Sequence, residues 1–165
     1  MKMHIVLVEP EIPQNTGNIA RTCAAIGAKL HLVYPLGFNI SEKQVKRAGL
    51  DYWDKLEIEE HINFKEFLEK YKPEDNNMFF VTTKGKHVYS EVDYSKMENV
   101  FILFGKETKG LPEETLKKYL SKTIRIPMKE TIRSLNLSNS VAIVAYEIFK
   151  QQKFGGLEKI SKYFD

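Results

Sequence analysis

The apolar positions of this chain fall into short unbroken runs, separated by stretches in which they recur every three or four residues. MHIVLVE (3–9) is apolar and rich in β-branched residues, and it reads as a buried strand. KLHLVYP (29–35), closed by Pro35, reads the same way, and MFFVTT (78–83) and VFILFG (100–105) suit a sheet covered on both faces. KTIRIP (122–127) predicts a last short strand. PEIPQNTGN reads as a Pro/Gly/Asn loop, followed by a helix over IARTCAAIG (19–27) that Gly27 stops. SEKQVKRAG (41–49) predicts a short helix with Ser41 as cap and Gly49 as stop. NFKEFLEKYK (63–72) is amphipathic and ends at Pro73, and LPEETLKKYL carries Pro112 in its first turn. Leu137–Gln152 is the last helix. Strands alternating with helices argue for a single α/β domain over residues 1–165, built on a mostly parallel sheet flanked by helices. No internal repeat or linker interrupts it.

The last helix changes character along its length. Arg133, Ser134, Asn136, Ser138, Asn139 and Ser140 crowd its approach, and VAIVAYEIF follows. A helix start leaves four backbone N–H groups without partners, and one side chain suffices as a cap. The remaining polar groups suit a ribose, a carboxylate or a phosphate. VAIVAYEIF is apolar on every helical face, which predicts burial on more than one side and hence a dimer formed through this helix.

Composition narrows the setting. Twenty-five Lys and Arg against 22 Asp and Glu give a formal charge of +3, mildly basic and compatible with an anionic partner without establishing one. The single cysteine, Cys23, excludes an internal disulfide and fits a reducing cytosol. The four histidines are scattered in sequence, so no metal cluster is expected. The first eight residues read as a strand, not a signal peptide, and no 18-residue apolar stretch occurs. A cytoplasmic protein without membrane association is the expectation.

In open α/β sheets, ligands bind beyond the carboxyl ends of the strands. Four loops there carry unusual chemistry: EPEIPQNTGN, TTKGKH, GKETKGLP and PMKETIRSLNLSNS. The chain has no G-x-G, which removes the dinucleotide fingerprint. Gly105 and Gly110 have phosphate-loop spacing, yet Leu111-Pro112 follows where Lys-Ser/Thr is required, so an NAD or ATP enzyme is disfavoured. Asn15-Thr-Gly-Asn18 reads as a turn and cap, or as part of a site. Arg21, placed near the first helical turn, would oppose the helix dipole and gains more by facing an anion. Glu107 is a solvated loop acid unless a ligand amine or ribose hydroxyl faces it.

These same stretches carry a family resemblance. NTGNIARTC (15–23), LFGKETKGLP (103–112) and IRIPM…RSLNLSNSVAIVAYE (124–147) resemble the three ordered motifs of the SPOUT-class RNA ribose methyltransferases. EPEIPQNTGN, RAGLDYW (47–53) and TTKG (82–85) are similar to one subgroup, the small tRNA (cytidine/uridine-34 2′-O)-methyltransferases that lack an appended RNA-binding domain. Lys106 departs from the motif, which usually has proline there.

The resemblance implies an α/β knot, with a C-terminal trefoil in which the chain threads a loop, and a homodimer. It implies S-adenosyl-L-methionine as cofactor, in a pocket lined by Val81, Thr82, Thr83, Gly85, Gly105, Ile126, Met128, Ser134 and Leu135. Arg21 matches the family's key arginine, and Asn15, Glu107, Ser134 and Asn136 match the other catalytic-site positions. The implied reaction is methylation of a ribose 2′-hydroxyl at the wobble nucleotide, in the anticodon region of tRNA. Another tRNA or rRNA ribose, or a non-catalytic RNA-binding relative, are the alternatives. Lys43, Lys46, Arg47 and Arg133 are the candidate RNA-phosphate contacts, and Tyr52 and Trp53 either stack on an unpaired base or pack internally.

Overall fold

A computed structural model describes residues 1–40, 47 and 53–164. The helix expected over 41–49, and with it Lys43, Lys46 and Tyr52, lies outside the described residues apart from Arg47. Seven strands form one sheet: β1 (Lys2–Val8), β2 (Lys29–Val33), β3 (Ile58–His61), β4 (Asn77–Val81), β5 (His87–Val88), β6 (Asn99–Phe104) and β7 (Thr123–Arg125). Their order across the sheet is β3-β2-β1-β6-β4-β7-β5. Every described pairing between these strands is parallel, from Leu7 beside Phe104 to Val81 beside Ile124. Strands β3 and β5 escape the sequence reading. IEEH carries two glutamates, and His87-Val88 is too short for a periodic signal.

Among the described residues four helices flank the sheet: α1 (Pro13–Ile26), α2 (Phe64–Lys70), α3 (Glu113–Lys118) and α4 (Leu137–Gln151). Alternate residues of β1 serve opposite faces, as strand geometry requires. Met3, Ile5 and Leu7 meet α1 and α4 through Ile19, Cys23, Val144 and Ile148. Val6 and Val8 meet α2 and α3 through Phe67 and Leu116. The result is a three-layer α/β/α domain, whose central strands are apolar on both faces for that reason.

The structure moves the start of α1. The helix begins at Pro13, so the stretch read as a loop and turn forms its first turns. Proline there costs nothing, because the first helical N–H has no intrahelical acceptor. Gly27 ends the helix as expected, in the left-handed conformation at φ 67°. Strand β1 runs to the centre of the sheet, and α1 leaves it on one side while α3 leaves its neighbour β6 on the other. The carboxyl ends of β1, β6 and β4 therefore open onto a crevice. Among the described residues no helix is long and apolar enough to cross a membrane.

Candidate active site

A cavity of about 650 Å³ fills that crevice. Its walls come from the ends of β4 (Val81–Lys84) and β6 (Phe104–Leu111), the start of α1 (Ile12, Asn15), and the irregular segment between β7 and α4. That segment supplies Ile126, Met128, Arg133, Ser134, Leu135 and Asn136. Backbone approach is close at two glycines. A Cβ on Gly105 would lie 2.0 Å from the Gly110 carbonyl carbon, and one on Gly85 would lie 2.5 Å from that of Ile124. Only glycine fits there. Strand β7 passes tightly beside the 82–88 turn: the Thr82 N–H donates to the Ile124 carbonyl at 2.9 Å.

Glu107 organises the three motifs. Helix α1 has Ile12 at its N-cap, with no side-chain cap and no acid in its first turn. The Glu107 carboxylate, arriving from the loop after β6, supplies what is missing. It accepts from the Glu11 N–H at 2.8 Å, the Ile12 N–H at 3.0 Å and Asn15 Nδ2 at 3.2 Å. A carboxylate at a helix N-terminus satisfies orphan donors and favours the dipole together. Buried Asn15 then accepts on Oδ1 from Asn136 Nδ2 at 3.1 Å. Asn136 is the N-cap of α4, where its Oδ1 accepts from the N–H groups of Ser138 and Asn139 at 2.9 and 3.3 Å. One chain of hydrogen bonds thus joins residues 92 and 121 positions apart in sequence.

This lattice changes several expectations. Asn15 and Asn18 are not turn or cap residues, because both lie inside α1. Asn136 is the single structural cap among the polar cluster. Arg21 is mid-helix, nine residues in from Pro13 counting both, so it does not oppose the dipole of a first turn. It is exposed and lies off the cavity wall. Gly85 also lies off the wall and acts through the close approach to β7. Val81, Thr82, Thr83, Gly105, Glu107, Ile126, Met128, Arg133, Ser134, Leu135 and Asn136 all line the cavity, Arg133 among them though it was expected on an outer RNA surface. Arg47 is exposed, and Trp53 packs against the core. Lys84, Lys106 and Lys109 line the cavity too. Their signal in sequence was three lysines in the TTKG and GKETKG loops that leave adjacent strands.

The histidines scattered in sequence are gathered by the sheet. His4 on β1, His31 on β2 and His61 on β3 form a row under α2, with Nδ1 of His4 2.8 Å from Nε2 of His31 and Nδ1 of His31 3.0 Å from Nε2 of His61. Burial lowers the pKa of His4 to about 4 and of His31 to about 3, and lowers that of His61. Among the described residues His31, Glu59 and His61 have the spacing of a metal site. Glu59, however, already meets Lys29 and Lys70, each at 2.7 Å. Burial raises its pKa, but the lysines and the Tyr71 hydroxyl hold it well below the usual carboxylate range. Two ammonium groups at the same carboxylate disfavour a dication.

A crevice at the carboxyl ends of parallel strands, walled by three motif loops and lined with lysines, defines an α/β class with its ligand site beyond the strand ends. The match to a known family gives that class its name: the chain belongs to the SpoU rRNA methylase family, whose model covers residues 2–146. A Yersinia pestis protein named tRNA (cytidine(34)-2′-O)-methyltransferase is 45% identical, with 93% of this chain and 96% of the relative aligned. A Listeria innocua relative, 51% identical over 99% of this chain and 96% of its own length, has the same activity proposed in its name. A solved structure described as giving insight into 2′-OH methylation of C/U34 on tRNA superimposes with a TM-score of 0.85, at 44% identity over 93% of this chain and 97% of that one. An S-adenosylmethionine-bound rRNA methyltransferase from Sinorhizobium meliloti superimposes with a TM-score of 0.81, at 26% identity, over 90% of this chain and 56% of its own.

Proposed function

We propose that this protein methylates the ribose 2′-hydroxyl of the wobble nucleotide of tRNA, cytidine or a modified uridine, using S-adenosyl-L-methionine and working as a cytoplasmic homodimer. The carrying observation is the Asn15–Glu107–Asn136 lattice, which brings three family motifs to one cavity. Relatives and a solved neighbour named for this reaction align along nearly their whole length.

The cavity suits the cofactor. Val81, Phe104, Ile126 and Leu135 offer apolar walls, while Gly105 lets backbone edges approach a planar base closely. The neighbour named as binding the cofactor shares this fold at 26% identity. The cofactor supplies a methyl group on a sulfonium, a leaving group that needs no protonation. The chain's own residues must align the ribose and manage its proton. Ser134 faces the cavity. Arg21 lies six residues, or about 9 Å, further along α1 than Asn15. A guanidinium offers donors and no acceptor, so Arg21 orients an RNA phosphate or stabilises a developing alkoxide. The proximity of β7 to the 82–88 turn supports the threading of a knot. Arg133, with Lys43, Lys46 and Arg47, is proposed to meet phosphates.

Mapping 2′-O-methyl marks by mass spectrometry, on tRNA incubated with protein and cofactor, tests the reading. A mark at the wobble ribose is expected. Marks only at another tRNA or rRNA position would redirect it, and cofactor binding without methylation of any RNA would favour a non-catalytic binder.

A further inference from the structure

Three consecutive residues of the loop after β6 reach across to the loop after β1. Glu107, in the middle, receives the donors at the start of α1. On one side of it Lys106 Nζ donates to Glu9 Oε2 at 2.7 Å, and on the other the Thr108 hydroxyl donates to Glu11 Oε1 at 2.6 Å. Lys106, Glu107 and Thr108 line the cavity, whereas Glu9 and Glu11 lie off its wall. Each of these two acids thus grips a wall residue from outside the cavity. The wall loop is a tight turn, with the Gly110 N–H donating to the Lys106 carbonyl at 2.8 Å. Between Gly105 and Gly110 it carries only Lys106, Glu107, Thr108 and Lys109, so apolar burial does not seat it and polar contacts must. The loop after β1 is a firm anchor. Glu9 has φ 53°, a left-handed conformation that non-glycine residues seldom adopt, and its N–H donates to the Val33 carbonyl at 2.9 Å. The Gly37 N–H donates to the Pro10 carbonyl at 2.9 Å, and a Cβ on Gly37 would stand 2.7 Å from the Glu11 Cα. Strained backbone persists where the surroundings fix it, and it gathers at functional sites.

We propose that Glu9 and Glu11 are positioning residues, two latches that hold the 105–111 loop shut as one wall of the S-adenosylmethionine pocket. The assignment rests on the methyltransferase reading above. The Glu9–Lys106 pair is partly open, with side chains 30% and 32% exposed, and pairs of that kind add little to global stability. Its effect is local: it sets how often the wall is in place, not whether the chain folds. A ligand that binds only the closed loop loses affinity in proportion to the closed fraction. The two latches differ in chemistry. Lys106 needs a carboxylate opposite its ammonium, whereas the Thr108 hydroxyl needs only an acceptor, which a glutamine at position 11 also offers. The Glu11 N–H donates to Glu107 whatever its side chain, so changes at Glu11 leave that contact in place.

The test compares the wild type with Glu9→Ala, Glu11→Ala, the double variant and Glu11→Gln. Calorimetry gives the Kd for S-adenosylmethionine, and methylation of tRNA gives kcat and the KM for the cofactor. Trypsin cleavage after exposed Lys109, in protein without cofactor, reports loop opening directly. If the double variant keeps the loop closed about a tenth of the time, Kd and KM rise about tenfold while kcat at saturating cofactor holds. Cleavage should quicken in step, the urea midpoint should stay at the wild-type value, and Glu11→Gln should match the wild type throughout. Unchanged affinity in the double variant overturns the assignment, whether or not cleavage quickens. A lowered urea midpoint with kcat falling alongside affinity marks a merely structural role and overturns it too. Wild-type protein that binds no S-adenosylmethionine removes the functional reading, and this assignment with it.

Discussion

At the residue scale, the roles of Glu107 and Arg21 separate cleanly. Glu107 reads from sequence as a solvated loop acid unless a ligand faces it, but three donors at the start of α1 occupy its carboxylate. The sequence does not reveal this, because Glu107 lies 96 residues from Glu11 and the pairing depends on the order of the central strands. Removing it strands two backbone N–H groups and the Asn15 amide. Glu107→Ala is therefore expected to cost about 1–3 kcal/mol of stability, measurable as a lower urea midpoint, and to weaken cofactor binding through the displaced cavity wall. Arg21→Ala should behave oppositely. The residue is exposed and off the wall, so unfolding and cofactor affinity should change little. Turnover should drop about 10²–10³-fold, the usual loss when a charge-stabilising donor is removed. Single-turnover methylation beside calorimetry checks both. The motif positions themselves were legible from the residue string. Which of them touch ligand and which hold other residues was not, since a carboxylate for capping and one for binding have the same letter.

At the element scale, the apolar runs identified every long strand, and edge strands β3 and β5 failed for a physical reason. A short edge strand buries little and gives no periodic pattern. The same edge produces a pH response that linear spacing hides. His4, His31 and His61 lie on three adjacent strands, each offset two residues from its neighbour's register partner, under Phe67 and Tyr71 of the α2 side. Each ring has a folded-state pKa below its ordinary value of 6.5. The unfolded chain therefore binds protons that the folded chain refuses. Stability is complete above about pH 6.5 and is lost as pH falls toward about 4 for His4 and about 3 for His31. The facing charges are Lys29, Lys70 and Glu59, and Glu59 keeps its charge well below pH 4.5. Between pH 6 and 5 the loss should approach about 1.4 kcal/mol per pH unit for each titrating ring. Urea unfolding across that range checks the slope. His31→Phe should flatten it by removing one ring's protons, even if the variant is less stable at pH 7.

At the scale of the whole molecule, the α4 helix poses the question that one chain leaves open. VAIVAYEIF is apolar all round, yet a single chain buries only Val141, Val144, Ala145, Ile148 and Phe149. Ile143 and Tyr146 stay 36% and 46% exposed on the outer face. Leu135, just before the helix, and Ile12, at the N-cap of α1, are also exposed, and both line the cavity. Exposed apolar side chains on a helix face and beside a site are costly in water, and a covered interface removes that cost. A two-fold partner is the economical cover, because the same patch then buries itself on both copies. The wild type is expected to sediment as a dimer. Ile143→Asp combined with Tyr146→Asp places two charges at the centre of that patch on each copy, and should yield monomers at micromolar concentration. Since the first turn of the same helix lines the cavity through Leu137 and Ser140, the monomer should keep its α/β circular dichroism while losing most methylation. A variant that sediments as a monomer with full activity would show that one chain holds a complete site, and a variant that remains a dimer would place the interface elsewhere.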